Sequence, residues 1–367
     1  MVWVVGGSYS WPFSSTMNHR AWHGSPVSMQ LEEDWEGFWR STREAAAYRS
    51  GAPQQAALEQ FWGGFFKRTL PLFPGARILD LACGNGVVAR SALESVRTAG
   101  LPPVMACGLD RSPSALADLR RRLPAAFAVN GDALKVPFRD GVFAIVTSQF
   151  GAEYAGLGAV AEAARLVAPG GVLAAILHLK GGGIYNECQN NLLAMQALEQ
   201  SSYLLHARAA FPGRKKPSSK RPGSLLGDRP TADFHTAGKA VLEILKRHGE
   251  GVAGGVVRRL HTDITRMYTN RKSIELNAIL AWIDGMSSEF QTYAGRMAAM
   301  LAAALDENDL AEVMRQLTAC SMVVRVHEVM HMGEAHEPAA WVLICDRHQG
   351  HGQPPGADNA CQNSSVN

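Results

Sequence analysis

No run of about 18 apolar residues occurs in this chain, so no segment is expected to span a membrane. Met1–Val5 is apolar but carries no basic flank and stops at Gly6-Gly7, short of the core of a secretory leader. The six cysteines (83, 107, 188, 320, 345 and 361) form no C-x-x-C pair and no regular spacing. A zinc or disulfide framework is therefore not expected, and reduced, buried thiols in a cytoplasmic protein are. Charge of one sign is also lacking: 36 basic against 33 acidic residues leave a net +3. That is too close to neutral to draw nucleic acid or a membrane surface to the whole molecule. What remains, 367 residues of which 47% are hydrophobic and 19% charged, can bury a large core and suits one αβ domain with an addition.

The most informative segment is Arg77–Ala89, an apolar run that ends in Asp80 and passes into Leu81-Ala82-Cys83-Gly84-Asn85-Gly86. This pattern predicts a strand feeding a tight turn, because Gly84 and Gly86 let backbone approach a ligand where a Cβ would stand in the way. A helix from Val87 would then turn its free N–H groups and positive dipole end toward the same ligand. Read as Gly84-x-Gly86-x-x-Ala89 with Asp110 about 21 residues on, the segment satisfies a dinucleotide fingerprint. Asp80 argues for a rival reading: an acid at the first strand end is badly placed beside a pyrophosphate and well placed beside an ammonium group.

From about residue 75 to 180 the chain resembles the class I S-adenosylmethionine-dependent methyltransferases. Their first strand runs into a D/E-x-G-x-G-x-G turn, here Asp80-Leu-Ala82-Cys-Gly84-Asn-Gly86, with alanine at the first glycine. The resemblance implies a Rossmann-like seven-stranded α/β fold, mostly parallel and closed by an antiparallel hairpin, with S-adenosyl-L-methionine as cofactor. It implies a second strand, Val104–Leu109, ending in Asp110 for the ribose hydroxyls, and a third, Ala126–Asn130, leading to Gly131-Asp132-Ala133 for the adenine amino group. Asp80, Ala82, Gly84, Gly86, Asp110, Arg111, Asp132, Ala133 and Gln149 are the expected cofactor residues, and no metal ligands are expected. Val142–Thr147 and Val172–Leu177 would be the fourth and fifth strands, with a helix at Ala159–Val167 stopped by Pro169-Gly170-Gly171. Met322–Met330 and Ala339–Cys345 match the closing hairpin, which an ordinary dinucleotide-binding domain lacks.

The organisation expected is an extension over 1–28, helices over 29–74, a cofactor domain made of 75–180 and 306–347, a helical insertion over 181–305, and a tail over 348–367. Both the extension and the tail read as disordered. Two helices, Glu32–Ser50 and Gln54–Lys67, place Trp35, Phe38 and Trp39, then Phe61, Trp62, Phe65 and Phe66, at helical spacings, as faces packed on the sheet. Helices are expected in the insertion at Asn186–Ala207, Ala237–Arg247, Arg258–Tyr268 and Lys272–Leu305, around a basic Pro- and Gly-rich loop near 208–230.

Ligands of open parallel sheets bind outside the carboxyl ends of the strands. The fourth and fifth ends carry Gln149, Glu153 and Tyr154, then His178 and Gly181–Gly183. His178 is the candidate base, since its ordinary pKa of about 6.5 suits neutral pH; Glu153 and Tyr154 are candidates to orient or deprotonate an acceptor. Gly181–Gly183 reads as a turn over the cofactor. No Asp/Asn-Pro-Pro-Tyr/Phe follows strand four, which within the resembling class argues against planar amino acceptors. The expected activity is in-line methyl transfer to a small organic acceptor, with the insertion as lid. The alternatives are an RNA or protein methyltransferase recruited by the basic loop, and a non-catalytic S-adenosylmethionine-binding protein. Oligomeric state is not legible.

Overall fold

Ile78 to Leu81 are all buried, as in a strand covered on both faces. In the computed structural model, which describes residues 26–41, 53–212 and 229–348, this segment lies at the centre of a seven-stranded sheet. Its strands are β1 (Arg77–Leu81), β2 (Met105–Asp110), β3 (Phe127–Asn130), β4 (Phe143–Gln149), β5 (Val167–His178), β6 (Met322–Met332) and β7 (Glu337–Arg347). They stand in the order β3-β2-β1-β4-β5-β7-β6, with β1 to β5 parallel and β7 antiparallel between β5 and β6. This is the Rossmann-like methyltransferase sheet expected, closing hairpin included. The order reverses between β1 and β4, and there the carboxyl ends open a crevice.

The helices are α1 (Pro26–Ser41), α2 (Pro53–Thr69), α3 (Val87–Ala99), α4 (Pro113–Arg122), α5 (Gly158–Leu166), α6 (Gly183–Gln200), α7 (Tyr203–Ala210), α8 (Arg229–His248), α9 (Val256–Thr269), α10 (Leu276–Ala303) and α11 (Glu307–Ala319). Local chemistry sets several starts. Ser112 caps α4 by accepting from the Ala115 N–H, with Pro113 in the first turn. Asp306 and Asp309 form a reciprocal capping box on α11.

Leu79 and Leu81 of the sheet pack with Val160, Ala163, Leu310, Val313 and Leu317 of α5 and α11. Ile78, Ile145 and Ile176 pack with Leu58, Trp62, Phe65 and Phe66 of α2 and with Val88 and Ala92 of α3. Burying each of these large side chains contributes roughly 1.5–3 kcal/mol. The insertion has a core of its own around Leu198, Tyr203, Phe234, Val241, Leu260, Ile264 and Ile283. Its two ends meet in a seam beside the sheet: Leu179 bridges Leu305, the Leu305 N–H donates to the His178 carbonyl (2.9 Å), and the Lys180 N–H donates to that of Leu305 (2.9 Å).

Some expected boundaries change. Pro169-Gly170-Gly171 lies inside β5 rather than ahead of it: Gly170 has φ +75°, and the register with β4 shifts there, so a chain irregularity kinks the strand without ending it. The helix expected over 186–207 breaks at Ser202, which has φ +52°. Gly182 and Gly183 serve packing on the closing hairpin, since a Cβ on them would lie 2.7 Å from the Pro338 carbonyl and 2.9 Å from Glu337. Helix α1 begins at Pro26, inside the extension expected over 1–28. The rest of that extension, the greater part of the basic loop and the tail from 349 lie outside the described residues.

Candidate functional site

The turn after β1 is built from left-handed backbone. Ala82, Gly84 and Gly86 have φ of +52°, +51° and +83°. For Ala82 that conformation costs about 1 kcal/mol, which a glycine would not bear. Crowding makes the glycines specific. A Cβ on Gly84 would lie 2.6 Å from the Trp39 ring, one on Gly86 2.9 Å from Leu119, and one on Gly151 2.6 Å from the Ala82 methyl. The last contact brings the loop after β4 directly against the turn after β1.

Two carboxylates brace this turn. Asp80, 1% exposed, accepts from the Ala89 N–H (3.1 Å) in the first turn of α3 and lies 3.4 Å from the Thr147 hydroxyl. Burial pushes its pKa up to about 8; the hydrogen bonds oppose the rise, and the nearby charge of Asp110 adds to it. Asp110, at the end of β2, accepts from the backbone N–H of Gly84 (2.8 Å) and of Ser112 (2.9 Å). Burial raises its pKa as well, against those two bonds and with help from the charge of Glu36. Burial also holds the Cys83 thiol well above its ordinary range, so it is no nucleophile at neutral pH.

Glu36 is a residue that sequence reasoning missed. From α1 it accepts from the Ser112 hydroxyl (2.6 Å) and the Ser114 N–H (3.3 Å), and it also takes the Ser114 hydroxyl. With Trp39 on Gly84, this lays α1 across the carboxyl ends of β1 and β2. Its only advance signal was an acid set among the aromatics of a helix face. Asn130 was missed too: its amide donates to the carbonyls of Asp110 (3.1 Å) and Arg111 (2.8 Å), tying the ends of β3 and β2 together.

Asp132 and Arg111 face each other at 4.0 Å on the exposed rim, and Asp132 also accepts from the Leu134 N–H (2.9 Å), with Ala133 buried beside it. Gln149 is bonded to α2, its side-chain oxygen accepting from the Trp62 indole N–H (2.7 Å) at the edge of a groove of about 610 Å³ between α2 and α3.

The three acceptor-side candidates come together. His178 and Glu153 are 6% and 4% exposed, and His178 Nδ1 lies 2.7 Å from Glu153 Oε1, which also accepts from the His178 backbone N–H (3.1 Å). An ionised carboxylate can only accept, so Nδ1 carries a proton, and in the neutral imidazole Nε2 is then left with its lone pair. The second oxygen of Glu153 is shut off from solvent with no hydrogen-bond partner. The Phe150 ring stands 4.4 Å from the imidazole and the Tyr154 ring meets it edge-on at 5.7 Å.

Part of the chain is similar to known proteins. Residues 78–171 match the family model described as a methyltransferase domain. A demethylmenaquinone methyltransferase of Parafrankia sp. (strain EAN1pec) is 36% identical over 129 residues, which is 29% of this chain and 48% of that protein. A trans-aconitate 2-methyltransferase of Methylobacterium nodulans is 37% identical over 108 residues, 29% of this chain and 39% of the relative. The matched region thus spans less than half the length of either. Among solved structures, a chain from work on the conversion of a disulfide bond into a thioacetal group during echinomycin biosynthesis is 13% identical, with a TM-score of 0.40 over 87% of this chain and 94% of that one. The match begins in β1, runs into β5 and covers the glycine turn, Asp110 and Asp132, so residues 78–171 of this chain carry a methyltransferase domain.

Proposed function

We propose that the protein is an S-adenosylmethionine-dependent methyltransferase acting on a small organic acceptor in the cytoplasm. The turn fits the cofactor: three small residues hold left-handed backbone, two of them glycines where a Cβ would collide with Trp39 or Leu119, and Asp110 and Asp132 stand at or just beyond successive strand ends to take the ribose and adenine groups. When bound there, S-adenosylmethionine supplies a methyl group already activated by its sulfonium. The chain must add alignment, exclusion of water, and a base where the acceptor begins protonated.

The observation that carries this reading is the buried Glu153–His178 pair at the ends of β4 and β5, joined to the cofactor turn through the contact of Gly151 with Ala82. Glu153 fixes the imidazole tautomer, His178 Nε2 takes the acceptor proton, and Phe150 and Tyr154 wall the imidazole. The names of the two curated relatives favour small organic acceptors over macromolecules. Among the described residues no helix is long and apolar enough to cross a membrane.

The test is methyl transfer from labelled cofactor to a cell extract, read by mass spectrometry, with S-adenosylhomocysteine binding measured alongside. His178→Gln should lower turnover by about 10²–10⁴, the usual contribution of a positioned base, and leave S-adenosylhomocysteine affinity unchanged. Label appearing only in RNA or protein would move the acceptor class. Cofactor binding with full indifference to changes at Glu153, Tyr154 and His178 would make the protein a non-catalytic binder.

A further inference from the structure

Helix α10 passes over the short 3-10 turn Ala152–Ala155, which carries Glu153 and Tyr154, and packs along α1. At the junction lies Arg296. Its guanidinium sits 4.1 Å from the Phe38 ring centroid, 5.4 Å from that of Tyr293 and 5.7 Å from that of Trp35. Among the described residues no hydrogen bond or ion pair engages it, and its Nε is closed off from solvent without a partner. An arginine presents five N–H donors in a rigid fork, and withdrawing it from water without an acceptor is costly.

The groups around Arg296 are mostly rings. Trp35 meets Tyr154 edge-on at 5.4 Å, and Tyr154 meets His178 at 5.7 Å, so one aromatic wall runs from the guanidinium to the imidazole. The charges that face it are Asp34 on α1, itself 4% exposed, and the phenols of Tyr293 and Tyr154 and the thiol of Cys188. Burial lowers the pKa of Arg296, and those groups only oppose the drop. Aromatic faces stabilise a cation but accept none of its hydrogen bonds. The fork therefore has its donors set among rings, its Nε closed off and the residue as a whole only half-buried, and no carboxylate among the described residues pairs with it.

We infer that Arg296 is the specificity determinant of the acceptor site: it binds a carboxylate of the acceptor, whose body lies along Trp35 and Tyr154 with its nucleophilic atom toward His178. A planar carboxylate matches the guanidinium in a bidentate pair, which a neutral amide of the same shape cannot form. The acceptor class is thus small organic acids. This inference rests on the methyltransferase reading for the role of the bound acid, but the recognition itself is measurable without turnover.

The experiment compares matched probes, the three hydroxybenzoic acids and cinnamic acid against their primary amides, by ligand-observed NMR on the full-length protein with and without S-adenosylhomocysteine. In the wild type each acid that binds should do so at least tenfold more tightly than its amide, and some member of the panel should bind. Arg296→Met should abolish that preference and Arg296→Lys should restore part of it, with S-adenosylhomocysteine affinity unchanged in both. The wild-type acid-to-amide ratio stands even where a variant does not fold. A structural arginine that merely staples α1 to α10 would change melting temperature without changing the ratio. Equal binding of acids and amides, no binding by any probe, or a preference that survives in a folded Arg296→Met overturns the inference. Failure of S-adenosylhomocysteine to bind, with the acid preference intact, would instead count against the methyltransferase reading.

Discussion

The surroundings of Asp80 resist its charge. Its folded pKa of about 8 lies above its ordinary value of 3.8, so the native state holds a proton that the unfolded chain releases. Stability from this group is fully present below about pH 4 and is lost as pH rises toward 8. A shift of that size corresponds to at most about 6 kcal/mol, and relaxation of the site will make the realised effect smaller. Asp80→Asn keeps an oxygen for the Ala89 N–H and removes the charge. Melting temperature should then fall less between pH 5 and 8 in the variant than in the wild type; parallel curves would mean that Asp80 does not titrate in that window. At the same scale, Gly84, Gly86 and Asp110 were legible because a tight turn, a close backbone approach and a strand end each leave a local mark. Glu36 and Arg296 were not. The partners of Glu36 lie 76 and 78 residues away, and the rings around Arg296 come from both α1 and α10, so only the folded chain brings them together.

Among the elements, α1 has the most to show by experiment. It touches the cofactor turn through Trp39 and the start of α4 through Glu36, and it packs on α10 through Phe38 and Trp35. A helix laid by these contacts over a ligand crevice is expected to act as a cap on the cofactor. Trp39→Ala combined with Glu36→Ala should raise both the association and the dissociation rate of S-adenosylhomocysteine in stopped-flow fluorescence, dissociation by about tenfold. Rates within a factor of two of the wild type would show that the cofactor enters elsewhere. The sheet strands and the hairpin were readable from apolar runs and turn residues. The kink in β5 and the break at Ser202 were not, because Pro-Gly-Gly reads as a stop by local rules and only pairing with β4 carries the strand through it.

Across the whole molecule, the insertion has one core of its own, while Ile184 of α6 and Met300 of α10 pack into the core on the sheet. The insertion's helices α6 and α10 pack together, and α10 reaches α1 and the Glu153 turn. Closure over cofactor and acid together should therefore slow hydrogen exchange in α6 to α10 more than cofactor alone does. Exchange that is uniform in the free, binary and ternary states would make the insertion a structural appendage and place the acceptor nearer α2. The interrupted alternation of strands and helices marked where the sheet pattern stops and where it resumes. The way the insertion closes on the sheet was not, since the seam pairs residues more than a hundred positions apart.

That seam also governs how such a chain could be recombined. The insertion leaves at Leu179 and returns at Leu305, two residues held side by side, so a foreign helical subdomain could be spliced in without stretching β5 or displacing α11. Acceptor choice, if it resides in α10, would travel with the transplanted piece, while the glycine turn and its acids would stay behind. The graft has one fixed condition. The returning chain at Leu305 donates its N–H to the carbonyl of His178 and accepts from the Lys180 N–H, so any donor segment must reproduce both peptide contacts or it will tilt His178 together with the end of β5.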